Sequence, residues 1–179
     1  MLEVAHELFY WHGIRATGVD RVAAEAGVAP ATLYRLFASK DDLVAAYIGR
    51  AHRLYREWFD EAAAAGGGSA RERILGVFDA LAVQIQPHQC RGCPFLMALA
   101  EFPDPAHPAH REAVAMKTWV RLRVGELAGE HATAGFGADP AELADHLTLL
   151  IEGVYASTQA LGHRGPAARA RALADKLLE

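Results

Sequence analysis

"VAAEAGVAPATLYRLFASKDDL", residues Val22 to Leu43, is the stretch that decides the fold. A helical pattern stops at Ala26, passes Gly27, Val28 and Ala29, and restarts at Pro30. Proline is at home in a first helical turn, where its missing N–H costs nothing. On one side of the corner Val19, Val22, Ala23 and Ala26 form an apolar stripe; on the other, Thr32 to Phe37 reads as a short helix with Leu33 and Phe37 at core spacing. Two short helices joined by three residues including a glycine make a helix-turn-helix corner. Such a corner is either an ordinary αα-corner of a bundle or a DNA-reading one, whose second helix enters the major groove. The residues beyond it suit the second use. Thr32 can donate or accept, Tyr34 and Ser39 offer hydroxyls, and Arg35 and Lys40 offer charge.

Helical spacing continues outward in both directions. Leu2, Ala5, Leu8 and Phe9 form a stripe that ends at His12-Gly13. Ser39 caps a fourth helix, with Asp41 and Asp42 in its first turn against the positive helix end. Leu43, Tyr47, Leu54 and Trp58 carry that helix towards Ala65, before "GGGS" at Gly66–Ser69 breaks the chain. A fifth helix is expected from Ala70 to Gln86, then a loop "QPHQCRGCPF" and a short helix Leu96–Phe102. Ala109–His131, Ala141–Leu161 and Ala167–Leu178 read as three more, the first two separated by "GFGADP". No strand-length alternation or Asn-Gly hairpin turn is present, so the expected class is all-α.

At 179 residues and 52% apolar composition, the chain can bury a core of one domain, or of a small domain fused to a larger one. The net charge of −4 is unevenly spread. Met1 to Arg56 carries seven Lys/Arg against six Asp/Glu, and the remainder eleven against sixteen. No secretory signal pattern is visible, and no run approaches the ~18 apolar residues of a membrane span. Two cysteines cannot staple a chain of this size. These features predict a cytoplasmic protein without membrane contact. No Ser-His-Asp order, glycine-rich phosphate loop or HExxH helix occurs, so neither an enzyme nor a cofactor is expected.

The run "ELFYWHGIRATGVDRVAAEAGVAPATLYRLFASKDDLV" resembles the DNA-binding segment of the TetR/AcrR family of bacterial regulators. Phe9, Gly13, Thr17, Val19, Val22, Ala23, Ala26-Gly27-Val28, Thr32-Leu33-Tyr34, Phe37, Ser39-Lys40 and Leu43 carry the likeness over about the first fifty residues. The resemblance implies a three-helix head over residues 1–46 and a helical body over 47–179 that binds an effector and dimerises. It implies that Tyr34 and Lys40 contact phosphates, that Pro30, Ala31, Thr32 and the residues up to Arg35 face base edges, and that Thr17 binds the DNA backbone. Gly18 departs from the family's usual Ser or Thr and weakens the cap of the second helix. Pro30 and Ala31 lack long polar side chains, which moves direct base readout to Thr32, Arg35 and Arg21. Relatives often carry a basic arm ahead of the first helix; here the sequence starts almost inside that helix.

In the body, Tyr55, Trp58, Phe59, Phe78, Phe95, Met97, Trp119 and Tyr155 are candidates to line an apolar effector pocket, with Gln159, Gln84, Thr118 and Thr158 orienting the ligand. A plain helical core would use aromatics at the same spacing. His88, Cys90 and Cys93 in "HQCRGC", with His107 or His110, raise a metal reading, but the second clean ligand pair of a structural zinc site is missing, so no metal is assigned. The apolar runs Ala141–Leu161 and Ala167–Leu178 are expected to pair two copies into a homodimer. The expectation is a homodimeric regulator, most simply a repressor, released from a palindromic double-stranded operator by a small apolar molecule. The rival is a small-molecule-binding or thiol- or metal-sensing helical module that does not bind an operator.

Overall fold

Helices dominate the computed structural model, which describes residues 1–135 and 139–179; there is no strand among the described residues. In order they are α1 (Leu2–His12), α2 (Val19–Glu25), α3 (Pro30–Leu36), α4 (Lys40–Gly66), α5 (Ala70–Gln84), α6 (Pro94–Glu101), α7 (Pro108–Thr133), α8 (Pro140–Leu161) and α9 (Ala170–Leu177). A 3-10 turn, Pro166–Arg169, precedes α9. Phe136, Gly137 and Ala138 of the expected "GFGADP" linker lie outside the described residues. No helix among the described residues is long and apolar enough to cross a membrane.

Prolines set several of the starts. Pro30 opens α3 two residues before the expected Thr32, and Pro94 opens α6 two before Leu96, because a residue with no N–H to satisfy belongs at the first position. Pro166 likewise begins the 3-10 turn, so the expected Ala167–Leu178 helix is divided in two. Ser69 caps α5 through a reciprocal capping box, its hydroxyl accepting from Glu72 N–H while the Glu72 carboxylate accepts from Ser69 N–H. That carboxylate is held below its ordinary range, chiefly by the Ser69 backbone hydrogen bond.

The chain divides into two units. The first comprises Met1–Leu54 and Pro94–Met116, the second Tyr55–Cys93 and Lys117–Glu179, so the division falls inside α4 and again inside α7. In the first unit Phe9, Val22, Leu33, Leu43, Ile48 and Phe95 are buried together with Ala5 and Ala98. Leu33 is the apolar anchor of α3, whereas Phe37, also expected in the core, is half-buried at the end of the helix. In the second unit Phe59, Leu81, Leu127, Leu147, Ile151 and Leu178 form the interior.

Candidate nucleic-acid interface

The corner between α2 and α3 is made by backbone chemistry. Gly27 takes φ +66°, a conformation that costs a side-chain-bearing residue energy and suits glycine after a helix end. Its N–H donates to Ala24 O at 3.1 Å and the Val28 N–H to Ala23 O at 3.0 Å, satisfying carbonyls that α2 leaves open. Gly18 stands at the N-cap of α2 and provides no side-chain cap, as its lack of a hydroxyl requires.

With Leu33 inward, α3 turns Pro30, Ala31, Tyr34, Arg35 and Leu36 to solvent and leaves Thr32 half-buried. Tyr34 is 51% exposed and Leu36 59%. Arg21 of α2 is exposed as well. Ser39 accepts from Asp42 N–H at 3.1 Å and donates to its carboxylate at 2.8 Å, so it serves first as the cap of α4. Lys40 donates to Arg15 O at 3.3 Å with its ammonium still half-open to solvent. Burial lowers that ammonium from its ordinary value, and the nearby Glu101 carboxylate works in the opposite direction. On α3 the outward polar groups are the hydroxyls of Thr32 and Tyr34 and the guanidinium of Arg35.

Thr17 requires a correction. The resemblance implied a contact with DNA backbone, but the residue is fully buried and its hydroxyl donates to Gly13 O at 2.8 Å. A side chain enclosed in this way braces the turn between α1 and α2 and is closed to a phosphate. The same turn is held from a distant part of the sequence. Glu101, the last residue of α6, accepts from Ile14 N–H at 2.9 Å and from Arg15 N–H at 2.6 Å. Beside it the Arg15 guanidinium lies 5.3 Å from the centre of the Phe102 ring, Phe102 stacks on His107 at 4.2 Å, and His107 Nε2 sits 3.5 Å from Asp41. Sequence reading missed Glu101. A lone carboxylate 86 positions from its partner carries no local signal.

The expected effector residues separate into several settings. Phe59 and Phe78 do line an interior void, together with Ile74, Val77, Val124, Leu127, Leu147 and Ile151. The void measures about 10 Å³, room for a water and far less than an effector needs. Trp119 packs edge-on against Phe59 at 5.6 Å with the Arg56 guanidinium 5.1 Å above its ring, and Trp58 tilts against Tyr55 at 5.0 Å. Tyr55 and Tyr155 are buried and hydrogen-bonded to each other, and the Tyr155 hydroxyl donates to Gln84 at 2.5 Å. Burial first, and the neighbouring Cys93 second, raise the Tyr55 phenol well above its ordinary value; burial raises Tyr155 too, so both remain neutral. Phe95 and Met97 belong to the first unit, where Phe95 meets the His52 ring edge-on at 6.5 Å. Gln159 and Thr118 are exposed, which removes them from the void; Gln159 lies over Gly92 instead. Thr158 is buried, with no hydrogen-bond partner for its hydroxyl among the described residues.

The histidines and cysteines of the metal reading have the following surroundings. Among the described residues no three His, Cys, Asp or Glu side chains gather as a ligand set. His110 Nδ1 is bonded to Phe102 O at 2.8 Å, and His107 Nδ1 accepts from Ala109 N–H at 3.2 Å. Cys93 instead meets Lys117, whose ammonium donates to its sulfur at 3.2 Å and pairs with both Glu152 oxygens at 2.6 and 2.7 Å.

A helix-turn-helix with an exposed polar second helix, followed by a larger helical body, defines a class of one-component DNA-binding regulators. Residues 1–47 match the family model "Bacterial regulatory proteins, tetR family", and residues 70–174 match "Tetracyclin repressor-like, C-terminal domain". The chain belongs to the TetR family of transcriptional regulators. It is 34% identical to SCO4454, a TetR-family transcriptional regulator from Streptomyces coelicolor, over 99% of this chain and 91% of that one, with a TM-score of 0.91. The structure of sav143 from Streptomyces avermitilis is 31% identical over 98% and 94% of the two chains, with a TM-score of 0.79. Among curated proteins, the HTH-type transcriptional repressor KstR2 of Mycobacterium tuberculosis is 33% identical over 95 residues. That match covers 51% of this chain and 45% of the repressor, so it spans about half the length of the curated relative.

Proposed function

We propose that this regulator is a cytoplasmic, homodimeric repressor that binds a palindromic operator and is released by a small apolar molecule. The observation that carries the DNA reading is the outward face of α3, where Tyr34 and Arg35 stand exposed while Leu33 anchors the helix from behind. In this reading residues 1–46 form the DNA-binding head and 47–179 the effector and dimerisation body. Arg35, Thr32 and Arg21 read bases, while Tyr34, Ser39 and Lys40 hold phosphates. Pro30 and Ala31, exposed and without polar reach, let the helix tip approach the groove closely.

The dimer reading is supported by α8 and α9, which expose Leu149 (68%) and Leu173 (48%) along an open groove of about 300 Å³. Leu150, Gly153, Val154, Ala167 and Ala170 share its lining. Aliphatic groups of this extent on a surface favour a second apolar face. A two-fold pair of heads would fit half-sites about 34–36 Å apart. The apolar effector is supported by the wholly apolar lining of the void between α4, α5, α7 and α8. At about 10 Å³ that space must open before a ligand enters, so the ligand would select a minor conformation of the body. An effector releases DNA only if it favours the non-binding form, and operator must then weaken effector binding by the same factor.

The test is a gel shift on the DNA flanking the protein's own gene, with a dyad-scrambled duplex as control. Retardation of the native duplex alone, at salt near 0.15 M, supports the reading. Equal retardation of both duplexes, or of neither, rejects an operator-specific regulator.

A further inference from the structure

The second unit contains a nucleophilic cluster that neither the DNA interface nor the apolar void uses. Cys90 and Cys93 are separated by Arg91 and Gly92, and the chain bends at both intervening residues. Gly92 takes φ +138° and lies so near Gln159 that a Cβ there would sit 2.9 Å from its Oε1, so the turn between the two cysteines is tight and braced from α8. The Cys90 thiol points forward over the turn, donating to Gly92 O at 3.9 Å. Cys90 is half-buried and Cys93 buried. The Lys117 ammonium donates to the Cys93 sulfur at 3.2 Å and is itself held by both oxygens of Glu152. A cation hydrogen-bonded to a sulfur favours the thiolate, the form that attacks.

We propose that Cys90 and Cys93 form a dithiol–disulfide couple that responds to hydroperoxides, in which Lys117 is the positioning residue that holds Cys93 as the resolving thiolate. The half-exposed Cys90 meets the oxidant first. Its thiolate attacks one peroxide oxygen, the O–O bond breaks, and hydroxide leaves to become water after taking a proton, giving Cys90 sulfenic acid. The Cys93 thiolate then attacks the Cys90 sulfur, the S–S bond forms, and the sulfenic oxygen departs as a second water after protonation. For hydrogen peroxide the balance is two thiols plus one peroxide giving one disulfide and two waters, with two electrons passing from sulfur to oxygen. Pro94, the residue after Cys93, opens α6, and the last residue of that helix is the Glu101 whose carboxylate holds Ile14 and Arg15. Closing the disulfide thus constrains the turn that leads into the helix bracing the head. This regulatory consequence rests on the operator-binding reading above; the thiol chemistry stands without it.

The experiment treats the reduced full-length protein with hydrogen peroxide and follows intact mass, alkylation by N-ethylmaleimide and trapping by dimedone. The expected product is two hydrogens lighter, resists alkylation, carries no intermolecular cross-link and returns to the dithiol with dithiothreitol. Cys90→Ser should abolish it. Cys93→Ser and Lys117→Met should instead let Cys90 sulfenic acid accumulate, raising the dimedone adduct at Cys90 fivefold or more. Lys117→Arg, which restores the cation, should bring the adduct back down, an outcome that a merely structural lysine would not produce. Two thiols still fully alkylated after excess peroxide, oxidation straight to sulfinic acid, or a disulfide between two chains would each overturn the proposal. Operator binding on the same samples keeps the two readings apart: a protein that forms the intramolecular disulfide but retards no operator in either state supports the couple and rejects the DNA reading.

Discussion

Helices α3 and α8 both show large apolar side chains to solvent, and the company those side chains keep differs. Tyr34 and Leu36 share the exposed face of α3 with Arg35, and α2 exposes Arg21. Around Leu149 lie Leu150, Gly153 and Leu173, lining an open groove. Exposure alone therefore says little about a partner. Hydroxyls and guanidinium groups keep full interaction strength against a phosphate backbone, whereas a groove of aliphatic carbons gains only by losing its water to another apolar face. In the proposed function the first face meets nucleic acid and the second a protein surface.

The sharpest break in this contrast is Leu149→Asp. An isologous interface carries the change in both copies, so a cost of about 1.4 kcal/mol per copy raises the dimer dissociation constant roughly a hundredfold. Sedimentation velocity should then show monomers at micromolar concentration, with melting temperature nearly unchanged because the residue is exposed. A variant that still sediments as the parent protein does would remove α8 from the interface.

Arg35→Ala should act on the other face by altering sequence preference. One lost bidentate base contact removes about 1–3 kcal/mol of discrimination at a single operator position. Binding measured over a set of singly substituted operators checks this, and uniform weakening at every position would reassign Arg35 to the DNA backbone.

Thr17→Val tests the corrected role. Losing the buried bond to Gly13 O should cost about 1 kcal/mol of stability in thermal or urea unfolding. The salt dependence of DNA binding should stay as it is, and a drop in that slope with no loss of stability would return Thr17 to the phosphates. Lys40→Ala has the smallest expected effect, a fall of about 0.9 in the slope of log affinity against log salt, the signature of one phosphate contact. An unchanged slope would mean that the ammonium spends its hydrogen bonds inside the protein, as the one to Arg15 O does now.

The all-α class and the α2–α3 corner were legible because their causes are local. Apolar residues three and four apart mark a helix face, Pro30 marks a start, and Gly27 supplies the left-handed residue at the corner. The exposed residues of α3 followed from the same periodicity once Leu33 was assigned to the core. Its family resemblance rested on the same fifty residues. The body is less legible. Its aromatics share helical spacing, yet Phe95 and Met97 fall in one unit and Trp58, Phe59, Phe78 and Trp119 in the other.

By itself, then, the sequence determined the helices, the corner, the polarity of α3 and the apolar runs of α8 and α9, because each depends on residues within a few turns of one another. Tertiary structure alone decided that Thr17 is sealed inside, that Glu101 closes on Ile14 and Arg15, that the apolar void is too small for a ligand, and that Lys117 lies against Cys93. Those facts join residues 24 to 87 positions apart, or depend on how several helices pack at once. Single side chains of that kind leave no periodic trace. Their partners are chosen by packing, which local spacing does not encode.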